Sequence, residues 1–67
     1  MIKPKFYVGQ ILEHLKTRDT YMVLNTPDNV RIEATNAPSY IYMHIPTMQI
    51  WVRPQDEMED GRFVWLK

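Results

Sequence analysis

The residues best equipped for chemistry lie in the run Ile50-Trp51-Val52-Arg53-Pro54. On an extended strand, Trp51 and Arg53 share a face about 7 Å apart, so an indole plane and a guanidinium can sandwich a planar anion or stack on one another. Arg53 is the best single candidate for a bidentate hook on a phosphate or carboxylate. A purely structural reading competes with this one: Trp51 in the core, and Arg53 paired with a carboxylate such as Glu57 to hold a helical turn.

His14 and His44 are the side chains that titrate near neutral pH without help, and on neighbouring strands they would form a proton-transfer or metal pair. No HxH, HxxxH or cysteine accompanies them, so each reads better as a hydrogen-bonded strand histidine, and no metal or cofactor is expected. Asp56, Glu57, Glu59 and Asp60 crowd positions 56–60 but lack the longer alternation, central glycine and terminal glutamate of a calcium loop. They read as charge on a solvated helical turn, partly answered by Arg62. Tyr21, Tyr40 and Tyr42 suit sheet packing or a contact surface for something flat, and Tyr42 joins Arg53, Trp51, His14 and His44 as a candidate ligand-binding residue.

Catalysis finds little support. The only serine, Ser39, follows Pro38 with no nucleophile elbow, and two glycines cannot build a phosphate loop. The chain is expected not to be an enzyme.

These candidates must be positioned by short strands. Val8 to Leu15 mixes apolar and polar residues as a half-buried strand does. Lys16-Thr17-Arg18-Asp19 is a polar tip, and Thr20 to Leu24 is rich in β-branched and aromatic residues, which together predict an antiparallel hairpin. Asn25-Thr26-Pro27-Asp28-Asn29 carries turn chemistry. Val30, Ile32 and Ala34 alternate with Arg31, Glu33 and Thr35 as a further short strand, although residues 25–39 can equally be read as a long irregular loop. Asn36-Ala37-Pro38-Ser39 predicts a break.

Tyr40 to Ile45 is apolar on both phases apart from His44, as in a central strand or one entering a subunit contact. Gln49 to Arg53 is the next strand, ended by Pro54. Pro54 to Met58 predicts one helical turn with Met58 folded back on the core. Asp60-Gly61 signals a turn, and Phe63 to Leu66 a closing strand. The sum is a mostly β domain: a small SH3-like antiparallel barrel of five or six short strands with one helical turn before the last. It occupies 1–67 as a single domain, with 1–7 as a flexible N-terminal arm.

At 67 residues the chain is near the lower size at which one apolar core suffices without disulfides or metal, and it has no cysteine. Two Trp, four Tyr, two Phe and five Met are more large side chains than one copy can bury. A homo-oligomer, a dimer or higher, is therefore expected. Eight basic and eight acidic residues cancel, which weighs against sequence-independent nucleic-acid binding. Behind Lys3 and Lys5, polar residues arrive too soon for a signal or membrane-spanning segment, so the chain reads as intracellular with no membrane partner.

Gly9, His14 and Lys16, then Tyr21 and Val23, Tyr42, Trp51-Val52-Arg53-Pro54 and Asp60-Gly61-Arg62-Phe63 form an ordered set. In this order the chain resembles a family of small bacterial and phage proteins of unknown function whose signature is the Trp-Val-Arg-Pro run. The resemblance spans Gly9 to Phe63. It departs from the family at Met58, where a bulky aromatic is common, and in the middle segment from Asn25 to Pro38. The Asp-Gly-Arg-Phe ending implies a phage protein in the cytoplasm of an infected or lysogenic bacterial host.

Three functions are expected in order. The first is a non-enzymatic module that sequesters a host target, most concretely a small anionic or nucleotide-like signalling molecule, as a counter to host defence. The second is a protein-interaction module that inhibits a host protein through the Tyr40 to Ile45 strand or a Met-rich surface. The third is an SH3-like nucleic-acid-binding protein.

Overall fold

The computed structural model describes residues 3–66. The described residues form six strands and one helical turn: β1 Ile11–His14, β2 Thr20–Asn25, β3 Arg31–Ile32, β4 Ala37–His44, β5 Gln49–Pro54, α1 Gln55–Met58 and β6 Phe63–Trp65. All pairings are antiparallel. Strands β6, β1, β2 and β4 follow one another across the sheet, and β5 takes the other edge of β4. β3 pairs only with Ala37 and Pro38 at the start of β4. The bent sheet and α1 enclose one core, the small SH3-like, barrel-like architecture expected from the strand and turn signals. Among the described residues, no helix is long and apolar enough to cross a membrane.

Alternation decides which side chains fill the core. Leu12, Val23, Tyr40, Tyr42 and Phe63 point inward and are buried, joined by Phe6 and by Met58 from α1. The opposite phase carries a second apolar row in which Ile11, Met22, Met43 and Ile50 are successive register partners across four strands. A bulge at Leu24 lets β2 shift register between Val23 and Asn25, and such an insertion sharpens the local bend.

Three of the turns end in a residue with left-handed backbone: Arg18 (φ 64°), Asn36 (φ 62°) and Met48 (φ 62°). In each, its N–H returns to the carbonyl four residues earlier, on His14, Ile32 and His44 respectively. One repeated turn geometry thus closes the β1–β2, β3–β4 and β4–β5 connections.

Two expectations about the middle of the chain are corrected. The strand foreseen over Val30 to Thr35 has only Arg31 and Ile32 in the ladder, because Asn36 adopts the left-handed conformation and turns the chain back at once. The break foreseen at Asn36 to Ser39 is instead the start of β4. Pro38 is tolerated there for a geometric reason: the Ser39 N–H bonds to Val30 on the β3 side, so the nitrogen of Pro38 faces the other edge. There the β5 ladder has already ended at Ser39 opposite Pro54, so the missing N–H costs no ladder bond.

The N-terminal arm is likewise tied down. Phe6 is fully buried against Tyr40, with ring centroids 5.8 Å apart. The amides of Lys5 and Phe6 donate to the Tyr40 hydroxyl at 3.0 and 3.2 Å. That hydroxyl in turn donates to Glu59, whose carboxylate also accepts from the Lys5 amide. Met1 and Ile2 of the expected arm lie outside the described residues.

Candidate functional site

The inward phase of β2, β4 and β6 builds an aromatic floor. Tyr21, Tyr42 and Phe63 form a triangle of edge-to-face contacts with centroid separations of 5.4 to 5.6 Å, the arrangement that ring quadrupoles favour. His14 stands edge-on to Phe63 at 5.0 Å, and His44 leans on Tyr21 at 5.1 Å. Phe63 is therefore the hub through which β1 and β4 share one surface.

Arg53 reaches this floor from β5. Its register partner is Tyr40, but its side chain leans along the strand so that Nε donates to the Tyr42 hydroxyl at 3.0 Å. Nη1 lies 3.4 Å from Glu57 one helical turn on. Nη2 has no hydrogen-bond partner among the described residues. The pairing with Glu57 foreseen for Arg53 is thus present, the bond to Tyr42 was not foreseen, and one edge of the guanidinium remains open. Trp51 sits directly opposite Tyr42. It is not a core residue: at the sheet edge, 51% of it is exposed.

The structure brings His14, Tyr42, His44 and Arg53 onto one cluster and places Trp51 at its rim. It does not pair the two histidines, because β2 lies between β1 and β4. His14 Nδ1 accepts the Lys16 N–H at 3.3 Å. His44 Nδ1 meets Thr47 Oγ1 at 2.7 Å, while its buried Nε2 is 3.4 Å from Asp19 Oδ1 without hydrogen-bond geometry.

Two further residues belong to the site. Arg62 grips Asp60 through Nε and Nη2 at 2.7 to 3.1 Å, which lowers the Asp60 carboxyl below its ordinary range and raises the guanidinium. With His14, Leu15 and Lys16, Arg62 also lines an open cleft of about 410 Å³. Tyr21 has its phenol pushed up, first by burial, then by Asp19 and Tyr42, with Arg53 opposing. Tyr21 was expected to serve sheet packing or a contact surface, by its type alone. Nothing local marked Phe63 as the hub, since its partners His14, Tyr21 and Tyr42 come from three other segments.

No protein-family model, curated protein or solved structure matches this chain. Ser39, the one serine, is buried with its hydroxyl donating to the Ala37 carbonyl. The exposed indole, the half-open guanidinium and the tyrosine hydroxyls offer a stacking plane beside anion-binding donors.

Proposed function

We propose that this chain is a non-enzymatic binding module for a small planar anion of nucleotide-like character. The observation that carries the reading is the Arg53 guanidinium held on the Tyr42 hydroxyl, with the exposed Trp51 indole opposite that same tyrosine. A base stacks on Trp51 while the free edge of Arg53 takes its phosphate, and the paired Glu57 keeps the guanidinium from collapsing onto the sheet. The resemblance to phage proteins supplies a setting by analogy: in an infected cell, such a module acts by withholding a signalling nucleotide from the host.

The test is thermal unfolding against a panel of mono-, di- and cyclic nucleotides. A ligand present at a hundredfold its dissociation constant adds about 2.7 kcal/mol to stability, readily seen in so small a domain. Arg53→Ala is expected to abolish the shift while the circular dichroism spectrum is kept. A flat response across the panel, with a host protein rather than a small mass copurifying in native mass spectrometry, overturns the reading.

That outcome would favour the second reading, a module that occupies a host protein. The neighbouring Met22 and Met43 on the outer face support it, since thioether side chains adapt to varied partners. The Tyr40 to Ile45 strand offers no open backbone for this purpose, because β2 and β5 flank it.

A further inference from the structure

Arg53 and Pro54 close the end of the free β5 edge, but from Gln49 through Val52 nothing among the described residues blunts it. Ile50, Trp51 and Val52 are 52%, 51% and 52% exposed, and no charge occurs from Gln49 through Val52. Natural edge strands are ordinarily protected by charge, proline, bulges or a covering element. The other free edge, β6, has three residues, and Lys5 and Phe6 line a cleft beside it with Phe63, Val64 and Trp65.

The direction of the β5 backbone groups follows from two hydrogen bonds. The N–H groups of Ser39 and Ile45 bond to Val30 and Thr20, so the odd-numbered residues of β4 face β3 and β2. By antiparallel alternation, the even-numbered residues Tyr40, Tyr42 and His44 exchange bonds with Arg53, Trp51 and Gln49. Ile50 and Val52 therefore turn both N–H and C=O to the open side. Among the described residues, the only cap on them is a long bond, 3.3 Å, from the exposed Gln49 amide to the Ile50 carbonyl.

We propose that two copies of this chain dimerise by antiparallel pairing of β5 with β5 about a two-fold axis at Trp51. In this register Ile50 faces the partner's Val52 on both sides of the axis, and the four outward groups of each strand exchange four hydrogen bonds. Neither neighbouring symmetric register does this. Centring the axis on Val52 puts Ile50 against the partner's Pro54, which has no N–H. Centring it on Ile50 puts Val52 against the partner's Met48, whose left-handed backbone leaves the ladder.

The side chains agree with the same register. Arg53 falls opposite the neutral Gln49 of the partner subunit, so no like charges meet. Ile50 and Val52 extend the outer apolar row from Met43 and Ile41 into the second copy. The two Trp51 indoles are brought beside one another across the axis on the inner face. The inference stands independently of the ligand proposed above.

Two measurements decide it. Light scattering on the sized protein should return twice the 8.1 kDa chain mass. Ile50→Lys with Val52→Lys places like charges opposite one another across the axis and should halve that mass with the circular dichroism spectrum unchanged. The second exploits the absence of cysteine. Trp51 and its symmetry mate form a non-hydrogen-bonded pair with Cα atoms about 4.5 Å apart, within disulfide reach. Trp51→Cys should therefore cross-link rapidly under mild oxidant, and Thr35→Cys, on the β3–β4 turn, should not. A wild-type monomer, or cross-linking no faster at position 51 than at position 35, overturns the proposal even if the lysine variant fails to fold.

Discussion

Arg53 Nε donates to the Tyr42 hydroxyl at 3.0 Å, although the register sets Arg53 opposite Tyr40. This diagonal contact turns the guanidinium toward the aromatic floor rather than along the solvent edge. It couples the one strong cation of β5 to the ring cluster of β2, β4 and β6.

Tyr42→Phe removes the acceptor without changing the shape of the floor. Arg53 is partly open to water, which replaces some of the lost bond, so the expected cost is about 1 kcal/mol in a urea titration. Glu57→Gln, at an exposed ion pair, should cost less than about 0.5 kcal/mol. Equal losses would show that the ion pair, not the phenol, positions Arg53.

Tyr40→Phe is expected to be more damaging. The phenol accepts from the Lys5 and Phe6 amides and donates to Glu59, so its loss strands a buried Phe6 N–H. A cost of about 2 kcal/mol follows for an unsatisfied buried group. The N-terminal segment should also become more sensitive to proteolysis than the rest of the chain, because this hydroxyl ties it to β4.

Alkaline pH should weaken the fold through the same group. Burial, then the hydrogen bond to Glu59, pushes the Tyr40 phenol well above its ordinary value of 10.0. Below pH 10 the folded and unfolded chains both hold the proton and this group leaves stability level. Above that value the unfolded chain releases the proton while the folded chain retains it, so stability falls as pH rises. Melting temperatures of wild type and Tyr40→Phe should converge between neutral pH and pH 11. A constant gap would show that Tyr40 ionises equally in both states.

Met48→Gly should stabilise the protein. Met48 holds φ 62° at the β4–β5 turn and is 71% exposed, so it carries left-handed strain with little packing in return. Relief of about 1 kcal/mol, less part of the glycine entropy cost, is expected. Differential scanning calorimetry should show a rise of a few degrees; a fall would mean that the methionine side chain makes contacts that outweigh the strain.

Much of the architecture was legible along the chain because strand alternation and turn chemistry act over neighbouring residues. Thr20 to Leu24, Gln49 to Arg53, the helical turn after Pro54 and the inward Met58 were all readable in this way. The phase of Trp51 and Arg53 came from the two-residue period of an extended strand, and the Arg53–Glu57 pair from helical spacing. The middle segment was harder. There Asn36 and Pro38 are local stop signals, yet both sit at a hairpin whose Pro38 nitrogen faces the side beyond the end of the β5 ladder, a fact about a strand sixteen residues away.

The chain by itself determined a small β domain with an Arg and a Trp on one strand face, since those properties depend only on residue type and spacing. Tertiary structure alone decided that Phe63 gathers His14, Tyr21 and Tyr42, that Phe6 enters the core beneath Tyr40, and that Trp51 stays at an open edge. Each of these rests on which strands become neighbours. Neighbourhood is set by the order in which six short segments close around one shared core, and no local pattern encodes that order.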